Sequence, residues 1–322
     1  MPTNSNPLTR VNLAIWGMHR SGTSLLCSLL AECGVHFGEV DQLIPPNQEN
    51  PNGFWENIKV RELNDALLMA TGCDWDHVTR FDPANIPNDQ LAYFAEESKT
   101  ILRALYEHPI SGIKEPRMCV LTSVWAPVLT DSVDVFVYRH PAEIAKSLAM
   151  RNGLPYDIGL CLCEYYLVHL LNFLKSRDLI AVSHQELLQS PGEALEKLSD
   201  HIRVLKGNSA LVVSDSQLAS VVDMDYYRAR RDQEELPEPL ERIWNNLQPE
   251  MSTPQKLSVS ERSISLLAEY EQKESENAFL AARLLRNTNR NQGNLLDQIS
   301  QDYETAKAEI NFLHKSMQQK SD

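Results

Sequence analysis

Four short apolar runs, each bounded by polar residues or glycine, lie along the first two thirds of the chain. They occupy residues 11–16 (VNLAIW), 110–113 (ISGI), 133–138 (VDVFVY) and 179–182 (LIAV). Continuous apolar runs of this length are typical of strands that are buried on both faces of a parallel sheet. The pattern therefore predicts a strand at each of these four positions.

Stretches with helical periodicity follow three of the predicted strands. After the first, the leucines within residues 25–30 share one helical face, and the pattern stops at Gly34. After the third, Pro141 stands where a first helical residue is expected, and residues 184–202 follow the fourth. Strands that alternate with helices predict an α/β fold, in which helices flank a parallel sheet and ligands bind beyond the carboxyl ends of its strands.

One segment between these units has little periodicity. Residues 41–57 (DQLIPPNQENPNGFWEN) are rich in proline and asparagine, which predicts a long loop. Long loops inside a compact domain are often binding elements, and a disordered insertion is the alternative.

The end of the chain has a different pattern. Apolar residues with alternating spacings of three and four form a heptad seam: Leu296, Ile299, Tyr303, Ala306, Ile310, Leu313 and Met317. The seam predicts a coiled coil at about residues 295–318, which would make the protein a homo-oligomer or bind a partner, whereas a surface helix packed on the domain is the alternative. We divide the chain into a flexible N-terminus at 1–10, an α/β domain at 11–255 and a helical extension at 256–322.

Composition limits the possible functions. The chain has 322 residues, of which 43% are hydrophobic, and a net charge of −14. The negative charge argues against a nucleic-acid-binding surface, so any anion must bind in a small, locally basic pocket. The first ten residues lack an apolar signal segment, and no run approaches 18 apolar residues, so we expect a cytoplasmic protein without a transmembrane segment.

The six cysteines lie mostly inside apolar runs of a chain large enough to fold without disulfides. We therefore expect reduced thiols in the core. Cys161 and Cys163 form a C-x-C pair without further ligands at zinc spacing, so the sequence predicts no metal site there.

A glycine-flanked loop joins the first predicted strand to its helix. Residues 17–24 (GMHRSGTS) fit the phosphate-loop pattern G-x-x-x-x-G-K-[ST] at every position except the lysine, which is replaced by Thr23. Such a turn presents backbone N–H groups and the positive end of a helix dipole to an anion. The missing lysine, together with Arg139 and His140 where a kinase has a metal-binding carboxylate, disfavours a metal-assisted kinase. An ordinary strand-to-helix turn remains an alternative.

Further motifs carry a resemblance to a known family. The stretch HRSGTSLL (19–26) resembles the 5′-phosphosulfate loop of sulfotransferases that use PAPS, 3′-phosphoadenosine 5′-phosphosulfate. VYRHPAEIAKS places Arg139 eight residues before Ser147, similar to the element that grips the 3′-phosphate in that family. GIKEPR, with Lys114, looks like an element of the tyrosylprotein and bacterial carbohydrate branches. The resemblance covers about residues 11–202.

The resemblance implies the sulfotransferase fold and a set of site residues. The residues implied for binding PAPS are Arg20, Ser21, Gly22, Thr23, Ser24, Arg139 and Ser147. In catalysis Arg20 and Lys114 would neutralise the transferring sulfonate and the departing phosphate, without a metal. The Arg-Lys-Gly motif of cytosolic small-molecule sulfotransferases is not found in the sequence.

The acceptor hydroxyl must lose its proton, which requires a general base. Glu56 is the first candidate because it follows Phe54 and Trp55 on the long loop expected to border the acceptor cleft. Glu39 is the second candidate, while His19 and His140 are more easily explained by packing or phosphate binding. The motifs make a saccharide or glycolipid hydroxyl the expected acceptor, ahead of protein tyrosine and small alcohols.

Two other function classes remain open. One is a degenerate nucleotide-binding scaffold that recruits partners through its coiled coil, and the other is a small-molecule kinase. The joint presence of Arg20, Lys114, Arg139 and Ser147 favours the sulfotransferase over the scaffold.

Overall fold

The computed structural model describes residues 10–47, 50–207, 211, 218, 221–222, 235–247, 256–288 and 307, with side chains only to 279 in the last helix. Its sheet consists of the strands β1 Val11–Trp16, β2 Ile110–Lys114, β3 Ser132–Tyr138 and β4 Leu179–Ser183. The strand order is β2-β1-β3-β4, and all three pairings are parallel. The predicted α/β class and its four strands are confirmed.

Helices connect the strands and continue beyond them. They are α1 Thr23–Glu32, α2 Ile58–Ala70, α3 Asn88–Leu105, α4 Thr122–Trp125, α5 Pro141–Asn152, α6 Tyr156–Leu174, α7 His184–Gln189, α8 Pro191–Lys206, α9 Glu238–Asn246 and α10 Glu261–Thr288. Those that follow β1, β3 and β4 are the helices that the periodicity predicts. Among its described residues, the loop expected at 41–57 contains a short 3-10 helix, Val40–Gln42, at its start.

The sheet is buried on both faces because alternate residues of each strand point to opposite sides. Along β1, Leu13 and Ile15 join a core with α1 and α8, whereas Ala14 and Trp16 join a core with α2, α3 and α6. Every residue of β1 is buried. This explains why the strand is a continuous apolar run rather than an alternating one.

The site is positioned by the parallel register of the three neighbouring strands β2, β1 and β3. Ile15 pairs with Lys114 on β2, and Trp16 pairs with Phe136 on β3. Since β1 continues to β2 on one side of the sheet and β3 lies on the other, the loops after these strands meet at a topological switch point.

The apolar helix α6 lies in the core. By length and composition it is the one helix among the described residues that is apolar enough to cross a membrane, although it does not contain the run of 18 apolar residues sought in the sequence. Within the apolar 18-residue stretch of this helix, 78% is buried inside the protein, so α6 packs as a core helix.

Part of the predicted C-terminal extension packs on the α/β unit. Ser263 Oγ, at the start of α10, donates to Glu164 Oε2 on α6 at 2.7 Å, and Leu267 is fully buried. Thr79 hydrogen-bonds through its N–H and hydroxyl to the carboxylate of Glu271. The predicted coiled coil at 295–318 lies outside the described residues, apart from residue 307.

Candidate active site

The loop after β1 is held in a tight conformation by its glycines. A Cβ on Gly17 would approach Ser21 Oγ to 2.6 Å and the carbonyl oxygen of Val137 to 2.7 Å, so no larger residue fits there. Gly22 has a φ of +102°, which favours glycine, and a Cβ there would meet the ring of His184 at 2.4 Å. The loop ends at the start of α1, whose first turn contains no acidic residue. The N–H groups of α1 therefore face an environment suited to an anion.

Arg20, in this loop, meets Arg139 and Ser147, which are distant from it in sequence. Arg20 Nε donates to Ser147 Oγ at 2.8 Å, and Arg139 Nη1 donates to the carbonyl oxygen of Arg20 at 3.2 Å. Arg139 is also paired with Glu143, whose Oε2 lies 2.8 Å from its Nε. The structure thus places Arg20, Arg139 and Ser147 together, and Ser21 Oγ, buried beside them in the loop, has no hydrogen-bond partner within the described residues.

A lysine and a carboxylate form a buried ion pair next to α1. Lys114 Nζ, at the end of β2, donates to Glu56 Oε1 at 2.6 Å and to Ser24 Oγ at 3.2 Å. Lys114 is 2% exposed and Glu56 is 9% exposed, so the pair is largely shielded from water. The contact joins the long loop, the β2 end and the glycine loop at one point.

The loop that carries Glu56 is fastened to α1. Ser24 Oγ donates to the carbonyl oxygen of Phe54 at 3.3 Å, and Trp55 Nε1 donates to Ser28 Oγ at 2.8 Å. Trp55 has a φ of +59°, a left-handed conformation that costs roughly 1–3 kcal/mol in a non-glycine residue. This turn directs the Trp55 indole towards Phe37, so Trp55 does not line the cleft, whereas Phe54 does.

A second buried carboxylate lies behind the pair. Asn64 Nδ2 and Arg117 Nη1 donate to the two oxygens of Glu115, at 2.5 and 2.6 Å. Burial raises the pKa of Glu115 to about 7, although the charge of Arg117 opposes the shift. Arg117 also lies 2.6 Å from Asp65, so this network fixes the segment after β2 against α2.

The glycine loop, the long loop and the segments after β2 and β3 border one cleft of about 690 Å³. Its described lining includes five arginines, at positions 20, 61, 117, 139 and 151, and one carboxylate, that of Glu56. In a chain with a net charge of −14, this is the local concentration of positive charge that an anion site needs. Lys114, Ser21 and Ser147 are buried next to this lining.

The remaining base candidates occupy different environments. Glu39 does not line the cleft, and its side chain is 67% exposed beside His36. His19 lines the cleft, where burial holds its pKa well below 6.5 and its ring packs 4.8 Å from Trp75. His140 Nδ1 accepts from the backbone N–H of Ala142 and caps α5, which is a structural role.

Two further residues of the cleft, Arg151 and His184, were not identified from the sequence. Arg151 lies over the Phe54 ring at 5.3 Å, one turn beyond Ser147 on α5. His184 covers Gly22, and burial lowers its pKa to about 3. The available clue was that His184 closely follows the predicted strand 179–182, because the carboxyl ends of strands face the ligand in parallel sheets.

A scan against protein-family models and a search of curated proteins found no match to this chain. Among solved structures, the chain is similar to the sulfotransferase domain from the Synechococcus PCC 7002 olefin synthase, with 16% identity and a TM-score of 0.42 over 81% of this chain and 95% of that one. The sulfotransferase domain from the curacin biosynthetic pathway has 16% identity and a TM-score of 0.41 over 81% and 97%. Sulfotransferase STF9 from Mycobacterium avium has 14% identity and a TM-score of 0.40 over 82% and 77%. At these values the likeness concerns the fold alone.

Proposed function

We propose that this protein is a sulfotransferase that transfers the sulfuryl group of PAPS to a hydroxyl acceptor. The observation that carries the proposal is the 2.6 Å contact between Lys114 Nζ and Glu56 Oε1, placed at the first turn of α1 in an arginine-lined cleft. Sulfuryl transfer needs positive charge at the leaving oxygen and a proton acceptor near the attacking one. This pair supplies both groups side by side.

The donor substrate is held by the glycine loop and the residues around it. Backbone N–H groups at the start of α1, with Ser21, Gly22, Thr23 and Ser24, would bind the 5′-phosphosulfate. Arg20, Arg139 and Ser147, which already contact one another, would bind the 3′-phosphate. The fit is supported by the unpartnered, buried Ser21 Oγ and by the excess of arginine in the cleft.

The reaction proceeds as an in-line displacement at sulfur. The acceptor oxygen forms a bond to sulfur while the bond between sulfur and the bridging phosphate oxygen breaks, and PAP (3′-phosphoadenosine 5′-phosphate) leaves. Glu56 takes the acceptor proton, and Lys114 moves its ammonium group from Glu56 towards the negative charge that develops on the departing phosphate. Arg20 stabilises the charge on the sulfonate, and no step requires a metal.

For the acceptor we propose a saccharide or glycolipid hydroxyl. Phe54 and Trp75 offer partly exposed aromatic rings in the cleft, and Asn47 and Asn50 offer polar groups beside them. Flat aromatic faces with adjacent hydrogen-bonding groups suit sugar rings. Protein tyrosine and small alcohols are the competing acceptors.

The test is turnover of PAPS with a panel of saccharide, tyrosyl-peptide and small-alcohol acceptors, measured as release of PAP. We expect PAP release that depends on a saccharide and is lost in Glu56→Gln. Tight PAP binding without turnover on any acceptor would favour the nucleotide-binding scaffold. Binding of ATP with magnesium, but not of PAP, would favour the kinase.

A further inference from the structure

A cluster of three metal-ligating side chains lies outside the cleft. His36, Glu39 and His108 each place one ligand atom within 4.8 Å of the others. We propose that these three residues form a binding site for a divalent transition metal of the zinc class. None of them belongs to the described lining of the cleft, so the site is independent of the proposed sulfuryl transfer.

The side chains are almost at coordinating distance. The imidazole rings of His36 and His108 are stacked, with centroids 3.5 Å apart and planes at 17°, and His36 Nε2 lies 3.9 Å from Glu39 Oε1. Ligand atoms around a tetrahedral zinc ion stand about 3.4 Å apart, given bonds of about 2.0–2.2 Å. Because the two ring planes are nearly parallel, the in-plane lone pairs of their nitrogens do not converge as they stand. Rotation of the imidazole rings about their side-chain bonds, together with movement of the exposed Glu39 side chain, would bring the three ligand atoms around one ion.

The backbone already holds the two histidines in place. His36 lies beside the edge strand β2, where its N–H donates to the carbonyl oxygen of Ile110 at 3.1 Å and its carbonyl accepts from Gly112 N at 2.8 Å. His108 stands two residues before β2, in the turn after α3. Glu39 is exposed and can reorient at little cost. A backbone already held in place at His36 and His108 lowers the entropy lost on binding, although the side chains must still rotate.

The chemistry of the ligands selects the ion. Two imidazoles and one carboxylate, with a fourth position open to water, are a typical zinc donor set, whereas magnesium prefers an all-oxygen shell.

The position of the site suggests what a bound ion would do. Glu39 immediately precedes the 3-10 helix Val40–Gln42, which leads into the long loop. Within this loop, Ile44 N donates to the carbonyl oxygen of Glu56 at 2.9 Å. An ion bridging Glu39 to His108 would fasten the start of this loop to the sheet edge. Bound at this place, the ion would stabilise the folded chain by linkage.

The test is metal binding to the full-length, chelator-stripped protein. Calorimetry should show one equivalent of Zn²⁺ with a Kd of about 10 µM or lower and no comparable binding of Mg²⁺. Co²⁺ should give the strong visible absorption of a four-coordinate site. His36→Asn with His108→Asn should lose this equivalent and the cobalt band, and Glu39→Gln should weaken binding about tenfold or more.

Matched controls are Asp41→Asn, an exposed acid two residues from Glu39, and His201→Asn on α8, which should bind Zn²⁺ like the wild type. Circular dichroism of the metal-free variants establishes that they fold. The proposal is overturned if the double histidine variant keeps the same zinc stoichiometry, if Mg²⁺ binds as well as Zn²⁺, or if no zinc binds at about 100 µM.

Discussion

Lys114 and Glu56, which are 58 residues apart in sequence, form a buried 2.6 Å ion pair at the first turn of α1. Lys114 also donates to Ser24 Oγ, so a single ammonium group connects the proposed base to the proposed phosphosulfate loop. Breaking one side of a buried pair leaves an uncompensated charge, whereas an isosteric neutral partner still accepts a hydrogen bond. An isosteric substitution in this pair can therefore change the chemical step without unfolding the protein.

Glu56→Gln should retain PAP binding and lower turnover about 10²–10⁴-fold, because the amide still accepts from Lys114 but cannot take a proton. Single-turnover PAP release measures the chemical step, and calorimetry measures PAP binding. The matched control is Glu62→Gln on the exposed side of α2, which should behave as wild type. Wild-type turnover in Glu56→Gln would transfer the role of base to His19, the other base candidate that lines the cleft.

Arg139→Ala combined with Ser147→Ala should weaken PAP binding strongly. Two polar contacts to the 3′-phosphate, worth about 1.5–3 kcal/mol each when charge-assisted, would be lost. Calorimetric titration with PAP is the measurement, and Arg203→Ala, at an exposed pair on α8, is the control. Unchanged affinity in the double variant would contradict the proposed donor site.

Stability should fall on acidification below about pH 6.5, and His184 should contribute to the fall. Burial, and then Arg139, lower the pKa of His184 to about 3 in the folded chain, while the unfolded chain protonates near 6.5. Between these values the unfolded state binds more protons, so the free energy of unfolding decreases as the pH falls through this window. The decrease due to one histidine is at most about 1.4 kcal/mol per pH unit.

Denaturant unfolding of wild type and His184→Asn between pH 4 and 7 measures this contribution. The variant should show a shallower dependence of unfolding free energy on pH than the wild type. His19 is shifted in the same direction, so a residual slope is expected in His184→Asn. Identical slopes for wild type and His184→Asn would mean that His184 is charged in the folded chain.

The parts of the fold that the sequence predicts are those with local signals. The apolar run at β1, the glycines around Ser21 and the eight-residue spacing of Arg139 and Ser147 are each contained in one short segment. Glu39 is a candidate base in the sequence because it lies near the position where the tyrosylprotein branch carries its Glu, but the long loop leaves that alignment open. The loop pairs Leu43 with Asn57 and so brings Glu56, not Glu39, to the cleft. Such long-range pairing leaves no periodic trace in sequence.

The orientation of Trp55 shows a second limit. From sequence, Phe54 and Trp55 either stack on a sugar ring or anchor the loop. The left-handed backbone at Trp55 turns its indole to Ser28, so Trp55 anchors the loop. A positive φ in a bulky residue is rare and is maintained only by the surrounding contacts. Sequence alone therefore does not decide between the two roles of Trp55.

The C-terminal region should divide into two parts with different effects when it is removed. Deletion of residues 256–322 takes away Leu267 and the contacts of Ser263 and Glu271 with α6 and the Thr79 segment. Because Trp75, which lines the cleft, lies in the same segment as Thr79, this deletion should lower both stability and PAP affinity.

Deletion of residues 289–322 retains α10 but removes the heptad seam, so it should keep the melting temperature and PAP binding of the full chain. It should also lower the mass measured by light scattering, because an unpartnered stripe of Leu, Ile, Tyr and Met would otherwise face water. A full-length chain that is monomeric at tens of micromolar would mean that the seam packs on its own domain or binds another protein. Equal stability of both truncated chains would show that the α10 contacts contribute little to the fold.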